Sequence, residues 1–182
     1  MKYIKVMFVL VMTTYLLGCA SAAKMEGMVF QGNQKEYSSE LNESMVLGPV
    51  SGGKTTYPFW TSQIGSEAFA NAVKQSLKSQ GLYSDTGKYR LEARILRVEQ
   101  PFFGLDFEVA TYVQYILTNA KTGAVIFDEK VFAQYTAGLS DTFFAVKRLR
   151  LANEGSAQKN IETFLEKLSK LRIEPNEVTL AN

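Results

Sequence analysis

The sequence predicts an α+β domain: an antiparallel sheet of about four strands with two helices packed on one face. Two stretches, near 62–80 and 154–171, carry apolar residues at helical spacing. Before and between them, apolar and polar residues alternate as they do in half-buried strands. The order along the chain is strand, helix, three strands, helix, without an internal repeat, and it packs most simply as two layers.

The first strand is predicted from Ser44 to Val50, because Pro49 and the Gly52-Gly53 pair end it. A helix follows from about Ser62 to Gln80, and Gly81 stands where a left-handed residue commonly ends a helix. The residues expected to face the core from this helix are Phe69, Ala70, Ala72, Val73 and Leu77.

Three strands come next. The strand from Tyr89 to Glu99 alternates and then shifts phase at Leu96 and Val98, which predicts a bulge. The following two strands are joined by a hairpin loop from Asn119 to Gly123, with glycine at the left-handed position. Their predicted core faces are Phe107, Val109, Val113, Tyr115 and Leu117 in one, and Val125, Phe127, Val131, Ala133 and Tyr135 in the other.

The last predicted helix runs from about Glu154 to Leu171, and Leu149 and Leu151 are compatible with an extension at its front. The basic cluster at 147–150 is expected to be a solvated helix face. We expect one domain over 44–172 and a loose tail over 173–182. The core stripe of the helix is Ala157, Ile161, Phe164, Leu165, Leu168 and Leu171.

The N-terminus has the pattern of a secretory signal peptide. Lys2 and Lys5 precede an apolar run from Val6 to Leu17 that is too short to span a bilayer, and Gly18 then stands before Cys19. Leu16-Leu17-Gly18-Cys19 resembles the lipobox of bacterial lipoproteins. The resemblance implies that residues 1–18 are removed and that Cys19, the single cysteine, is joined to diacylglycerol and acyl chains such as palmitate.

The residues after Cys19 indicate which membrane holds the protein and how far the domain extends from it. Ala20 stands where an Asp would signal inner-membrane retention, so the resemblance implies an outer-membrane lipoprotein facing the periplasm if the source is Gram-negative. Residues 19–43 lack sustained periodicity and are predicted to be a flexible tether with an end-to-end distance of about 25–30 Å. The apolar run Met28-Val29-Phe30 is the exception and is compatible with pinning part of the tether to the domain. The domain is then expected to stand clear of the membrane.

Composition excludes several classes of function. Removal of residues 1–18 takes away two lysines, so that 18 basic residues balance 18 acidic ones. Nucleic-acid binding requires a basic surface, and the sequence has no Lys/Arg cluster beyond the one at 147–150. The chain has no histidine, which excludes Ser-His-Asp and Cys-His hydrolases and histidine-ligated zinc. We expect no cofactor and no metal site.

Two enzyme-like patterns are judged fortuitous. Gly48 to Thr55, GPVSGGKT, fits the phosphate-binding loop, but Pro58 falls inside the helix that such a loop must open. The acidic stretch AVIFDE at 124–129 leaves a hairpin, where a parallel strand is needed. Ser51-x-x-Lys54 with Lys121-Thr122-Gly123 is similar to peptidoglycan-acting serine enzymes, but the third element between them is missing. The prediction is that the protein is not an enzyme and binds no nucleotide.

Apolar clusters also lie where loops are expected. One interpretation is that they fold over the ends of the core, and the other is that they form an exposed contact surface. Asp141-Thr-Phe-Phe144 is a weaker third cluster. The candidate contact residues are Tyr57, Phe59, Trp60, Phe102, Phe103 and Leu105.

The runs VSGGKTTYPFWTSQIGSEAFANAVKQSLKSQGLY and RLRLANEGSAQKNIETFLEKL resemble a group of small, poorly characterised Gram-negative envelope lipoproteins, over most of residues 50–171. This implies an envelope location without a particular activity. The element order is also similar to auxiliary lipoproteins of envelope lipid transporters. Two functions remain open: a non-enzymatic binding or scaffold module that contacts another envelope protein, and an auxiliary subunit of lipid or hydrophobic small-molecule transport.

Overall fold

A computed structural model of the protein describes residues 20–57, 61–174 and 177–180. The helices are α1 (Met25–Met28), α2 (Ser66–Ser79) and α3 (Ala145–Ser169), with a short 3-10 turn at Ser39–Leu41. The strands are β1 (Met45–Ser51), β2 (Tyr89–Glu99), β3 (Phe107–Asn119), β4 (Val125–Ala137), β5 (Leu171–Glu174) and β6 (Glu177–Leu180). The predicted α+β class is confirmed.

The main sheet has the order β1-β2-β3-β4 and is mixed. Strands β2, β3 and β4 are antiparallel neighbours, whereas β1 runs parallel to β2 with Met45 opposite Tyr89. A wholly antiparallel sheet was therefore the wrong prediction for β1. Its direction follows from α2, because a chain that crosses over through a helix returns to its sheet in the same direction.

Both long helices cover one face of this sheet, as predicted. Phe69 and Leu77 of α2 and Phe164 of α3 belong to one buried cluster with Leu91 and Tyr115 of the sheet. The Phe164 ring stacks on the Tyr115 ring with the ring centroids 4.1 Å apart. The core thus lies between the sheet and the helices.

The opposite face of the sheet carries Tyr112 and Phe132, whose ring centroids are 5.0 Å apart. The guanidinium of Arg97 lies over the Tyr112 ring at 4.5 Å. Phe132 is among the exposed large apolar residues. This face is solvated, in keeping with the alternation of an antiparallel sheet that is covered on one side.

Three local signals in the sequence are confirmed. The pairing of β2 with β3 shifts register between Ile95 and Arg97, at the predicted bulge. Gly123 in the β3–β4 hairpin has φ of 73° and Gly81 after α2 has φ of 69°. The Leu82 N–H donates to the Leu77 carbonyl at 2.9 Å, which closes the end of α2 in the manner of a Schellman motif.

Helix α3 begins at Ala145, well before the predicted start at Glu154. The cluster at 147–150 is consequently not a uniformly solvated face. Arg148 is buried, and its guanidinium donates to the carbonyls of Thr142 and Phe143 at 2.8 Å each. The guanidinium also lies 5.4 Å from the centroid of the Phe107 ring. These contacts compensate the burial of the charge.

A row of buried polar side chains joins α3 to the sheet. The Tyr115 hydroxyl donates to Asn160 Oδ1 at 3.1 Å, and Asn160 Nδ2 donates to the carbonyls of Thr111 at 3.1 Å and Val131 at 3.0 Å. Ser156 Oγ bonds Thr111 Oγ1 at 3.0 Å. Burial raises the pKa of Tyr115 well above its usual value, so its hydroxyl keeps the proton that it donates.

The segment predicted as a tether is packed into the domain from Ala23 onward. Ala23, Met28, Phe30 and Leu41 are buried in the core cluster. The Phe30 N–H donates to Ser76 Oγ of α2 at 3.0 Å, and Gln158 of α3 donates to the Val29 carbonyl at 2.8 Å. A flexible tether over 19–43 is therefore wrong for these residues, and the domain begins near residue 23 and not at 44.

The loose tail predicted over 173–182 is also wrong in part. Strands β5 and β6 form a two-stranded antiparallel sheet in which Leu171 pairs with Leu180. Leu171 is buried and Ile173 packs partly against the core. The predicted signal peptide and Cys19 lie outside the described residues. Among the described helices, none is both long and apolar enough to cross a bilayer.

Candidate functional site

The apolar clusters singled out in the sequence meet at one end of the domain. Phe107, the first residue of β3, pairs with Ala137, the last residue of β4. The loop over 101–106 therefore enters the sheet beside the loop over 138–144, which leaves it. Thr61 lines a small cavity together with Phe107 and Val146. The chain after residue 60 therefore lies at the same end of the domain.

Large apolar side chains in these loops are exposed to solvent. Phe59 and Trp60 lie outside the described residues. The Asp141–Phe144 cluster, which was the weaker candidate in the sequence, is as exposed as the others. We call this surface the aromatic end, and its members with their exposed fractions are Tyr57 (68%), Phe102 (95%), Phe103 (85%), Leu105 (70%), Phe143 (85%) and Phe144 (76%).

Hydrogen bonds hold the chain near Tyr57 to the loop that carries Phe102. The Gln63 N–H donates to Thr56 Oγ1 at 2.8 Å, and Gln63 Nε2 lies 3.3 Å from Gln100 Oε1. Gln100 Nε2 in turn donates to Asn153 Oδ1 on α3 at 2.7 Å. Gln100 thus fixes the start of the loop over 101–106 against the rest of the domain.

The backbone next to Phe143 and Phe144 is also fixed. The Gly138 N–H donates to Asp141 Oδ2 at 2.8 Å, which closes the turn after β4. The buried guanidinium of Arg148 holds the carbonyls of Thr142 and Phe143. Because the backbone is held and the rings are exposed, little ordering of the main chain is needed when a partner covers them.

The cavity beneath the aromatic end is small. Its volume is about 130 Å³, below the range of roughly 300–1,000 Å³ that small-molecule sites occupy. A larger groove of about 580 Å³ lies beside Tyr57 and is lined by Lys54, Thr55 and Gln63. Among the described residues, this groove and a second one of about 510 Å³, which is lined in part by Ala22 and Glu67, are of ligand size, and the first of them borders the aromatic end.

The phosphate-loop pattern does not form a phosphate loop. Its first four residues belong to β1, which ends at Ser51, and Gly52 follows with φ of 83°. The Lys54 N–H donates to the Ile64 carbonyl at 2.9 Å, and α2 begins only at Ser66. Lys54 therefore does not stand at a helix N-terminus, and the acidic stretch at 124–129 lies in an antiparallel strand.

The Ser51-x-x-Lys54 and Lys121-Thr122-Gly123 elements lie apart. Ser51 is opposite Arg94, which pairs with Gln114. Gln114 is five residues before the end of β3, about 17 Å along the strand from the hairpin that holds Lys121. The two elements therefore do not share a site. Within 20–57, 61–174 and 177–180, no group of three or more Cys, Asp or Glu side chains could hold a metal ion.

The N-terminal segment enters the domain beside the aromatic end. Arg150, two residues after Arg148, donates from its guanidinium to Ser21 Oγ at 3.2 Å. The Ala23 N–H donates to the Gln63 carbonyl at 3.0 Å, in the segment that supports Tyr57. Sequence analysis missed this placement, because it depends on contacts between residues far apart in the chain.

Glu154 is the central contact of this N-terminal segment. Its Oε1 accepts the Lys24 N–H at 2.8 Å and lies 3.3 Å from Arg150 Nε as an ion pair. Glu154 is buried, and so is most of the Arg150 side chain. Loss of this carboxylate would leave both donors without their acceptor.

We expect Glu154→Ala to lower the free energy of local opening of residues 21–27 by about 1–3 kcal/mol. This is the usual cost of leaving buried donors without an acceptor. Amide hydrogen exchange at Ala23 and Lys24 should accelerate accordingly. Glu166→Ala is the control, because Glu166 is an exposed carboxylate on the same helix with a weak pairing to Lys35 at 3.5 Å. Unchanged exchange in the Glu154 variant would show that other contacts hold the segment.

No family model matches the sequence, and no curated protein is significantly similar to it. A Xanthomonas campestris protein of the family DUF330 has a similar structure, with a TM-score of 0.54 at 9% identity over 74% of this chain and 90% of that one. A hypothetical protein from Chlamydia trachomatis has a TM-score of 0.50 at 10% identity over 70% and 96%. A minor lipoprotein from Acinetobacter baumannii has a TM-score of 0.46 at 11% identity over 78% and 97%. At these identities the similarity concerns the fold alone.

Proposed function

We propose that this chain is a lipid-anchored, non-enzymatic binding module of the bacterial cell envelope, with the aromatic end as its contact surface. The observation that carries the proposal is the exposure of six large apolar side chains on adjoining loops of one end. Exposed apolar clusters on a soluble domain mark interaction sites more often than scattered residues do. The partner is a component of the envelope with an apolar surface of its own.

The anchor in this proposal is the lipid on Cys19. The basic start, the short apolar run and Leu16-Leu17-Gly18-Cys19 together support removal of residues 1–18. Each buried methylene contributes about 0.8 kcal/mol, so that two or more acyl chains hold a protein stably. Ala20 favours the outer membrane and a domain that faces the periplasm.

Burial of the aromatic end supplies the binding energy. Transfer of a Phe or Leu side chain from water into an apolar environment gains about 1.5–3 kcal/mol. The main chain at Phe143 needs little reorganisation because Arg148 holds its carbonyl, and Gln100 fixes the start of the loop that carries Phe102. The absence of histidine from the sequence and the separation of the two enzyme-like elements support a binding role over a catalytic one.

The second candidate function is that of an auxiliary lipoprotein in lipid or hydrophobic small-molecule transport. The groove of about 580 Å³ beside Tyr57 favours it, because the volume fits a small ligand. A thermal-shift screen against lipids separates the two functions when it is set beside crosslinking in cells. Cargo binding predicts stabilisation by single lipid molecules in solution, whereas a binding module predicts no such stabilisation and crosslinks from the aromatic end to a component of the envelope, either a protein or the lipid surface.

Cys19→Ser tests the anchor. We expect the native protein in the membrane fraction. Mass spectrometry of its N-terminal peptide should show a first residue Cys19 that carries acyl chains. The serine variant should be released from the membrane, because hydroxyl oxygen cannot replace the thiol that accepts diacylglycerol. Ser21→Ala is the matched control and should stay at the membrane. Full-length protein that retains Met1 in the cytosol would contradict the proposal.

A further inference from the structure

We infer that the aromatic end docks on the lipid surface of the membrane that holds the anchor. The inference rests on the proposed lipidation of Cys19 and names the partner of the proposed contact surface. It is carried by the position at which the N-terminal segment enters the domain. A flexible tether would have allowed any orientation, but the structure leaves little chain between the anchor and the core.

The length of that chain sets the distance. Extended backbone spans at most about 3.6 Å per residue, so Cys19 lies within about 7 Å of Ser21 and about 14 Å of Ala23. Ser21 is bonded to Arg150, and Ala23 is bonded to the Gln63 carbonyl. A lipid on Cys19 therefore holds this part of the domain close to the bilayer surface.

The aromatic end lies in the same part of the domain. Arg150 and Phe144 are six residues apart along the start of α3, about 9 Å at the rise of an α-helix. Gln63, which binds the Ala23 N–H, also contacts Gln100 beside the loop that carries Phe102 and Phe103. The anchor and the exposed rings thus face the bilayer together.

The chemistry of the aromatic end fits the interface of a bilayer. Its members are aromatic rings and a leucine, which partition into the boundary between headgroups and acyl chains. Lys54 and Lys147 are exposed nearby, and Asp106 and Asp141 lie in the same loops. Because both signs of charge are present, apolar burial and not charge attraction drives the docking, and high salt should leave it intact.

Apart from Tyr57, which lines the open groove of about 580 Å³, the side chains project from loop tips, and the cavity beneath them measures only about 130 Å³. Projecting rings suit insertion into a fluid surface, whereas a folded protein partner needs a complementary shape. The far end of the β3–β4 hairpin, near Val125, is about 40 Å away along the strands. That end should point away from the membrane.

The test places an environment-sensitive fluorophore at Phe103→Cys or, as the matched control, at Val125→Cys. Val125 is also an exposed apolar residue, at 60%. The introduced thiol is the one available for labelling, because the lipid occupies Cys19. The full lipidated protein, purified from membranes, is reconstituted into vesicles of phosphatidylethanolamine and phosphatidylglycerol that contain lipids with brominated chains.

We expect bromine quenching at position 103 to exceed that at position 125 several-fold, with a blue-shifted emission at 103 alone. Phe143→Cys repeats the measurement on the second loop and should behave as position 103 does. Equal quenching at 103 and 125 overturns the docking. Shielding of 103 in native membranes but not in pure lipid vesicles also overturns it, because a protein then covers the aromatic end.

Vesicle flotation and the mass of the N-terminus separate this inference from the proposed function. Protein that floats with vesicles and carries acyl chains, yet shows equal quenching at both positions, is anchored without docking. Protein that neither floats nor carries a lipid refutes the anchor itself, and the docking with it. The two failures therefore give different combinations of results.

Discussion

Phe164→Ala should lower the free energy of unfolding by about 3–5 kcal/mol, the usual cost of truncating a buried Phe. Phe164 is fully buried in the C-terminal half of α3. Its ring stacks on Tyr115 at 4.1 Å and meets the Phe127 ring edge-on at 5.9 Å, so the substitution leaves a cavity between α3 and two strands. Chemical denaturation followed by circular dichroism measures the loss.

Phe103→Ala is the matched control, since it removes the same atoms from a ring that is 85% exposed. We expect its melting temperature to stay nearly unchanged, because surface substitutions of this kind usually alter stability by less than about 0.5 kcal/mol. A melting temperature lowered by several degrees would instead show that the Phe103 ring packs in the core. A small effect of Phe164→Ala would mean that α3 does not pack on the sheet through this ring.

Asn160→Leu should cost about 2–4 kcal/mol although the two side chains have the same number and branching of heavy atoms. The amide of Asn160 accepts from the Tyr115 hydroxyl and donates to the carbonyls of Thr111 and Val131. Leucine satisfies none of these groups, and a buried polar group without a partner costs about 1–3 kcal/mol. Equilibrium unfolding in urea, with the slope compared between variants, gives the difference.

A double-mutant cycle isolates the energy of the hydrogen bond between the Tyr115 hydroxyl and the Asn160 amide. Tyr115→Phe alone should cost about 1 kcal/mol and, in the Asn160→Leu background, close to nothing, because the hydroxyl there has already lost its acceptor. Asn71→Leu on the exposed face of α2 is the control for the change of residue type. Additive losses in the cycle would show that the hydroxyl and the amide are energetically independent.

The features that could be predicted from sequence depend on neighbouring residues. The phase shift at Leu96 revealed the bulge in β2, and Gly81 and Gly123 marked positions with positive φ. The alternation in β3 and β4 predicted which face is buried, except at Val125, which was expected in the core and is 60% exposed at the start of β4. Backbone sterics and side-chain periodicity determine such features within a few residues, so one sequence is sufficient to find them.

The features that were missed depend on distant contacts. The apolar run Met28-Val29-Phe30 was compatible with a contact to the domain, but the burial of Ala23 and Leu41 on either side of it was missed, because it depends on packing against distant parts of the chain. The front of α3 was hidden by its buried polar residues, among them Arg148 and Asn153, which interrupt the apolar stripe. The parallel pairing of β1 was missed because the alternation in a strand does not report the direction of its neighbour.

The candidate site was predicted in part. Tyr57, Phe102, Phe103 and Leu105 are exposed, as a contact surface requires, and their role in contact remains a prediction. Phe143 and Phe144 were ranked below them and are as exposed. No sequence signal places these loops beside the N-terminal segment, since that neighbourhood arises from contacts made by Gln63, Gln100 and Arg150.

The burial of the segment after Ala23 also determines how the protein responds to force. The Lys24 N–H and the Val29 carbonyl bond to Glu154 and Gln158, which are about 130 residues further along the chain. With the proposed lipid on Cys19, tension on the anchor would reach the Lys24–Glu154 contact with helix α3 within five residues. From Ala23 onward the chain is packed and does not act as a flexible linker. Extraction of the proposed anchor from the bilayer would therefore strain the folded domain.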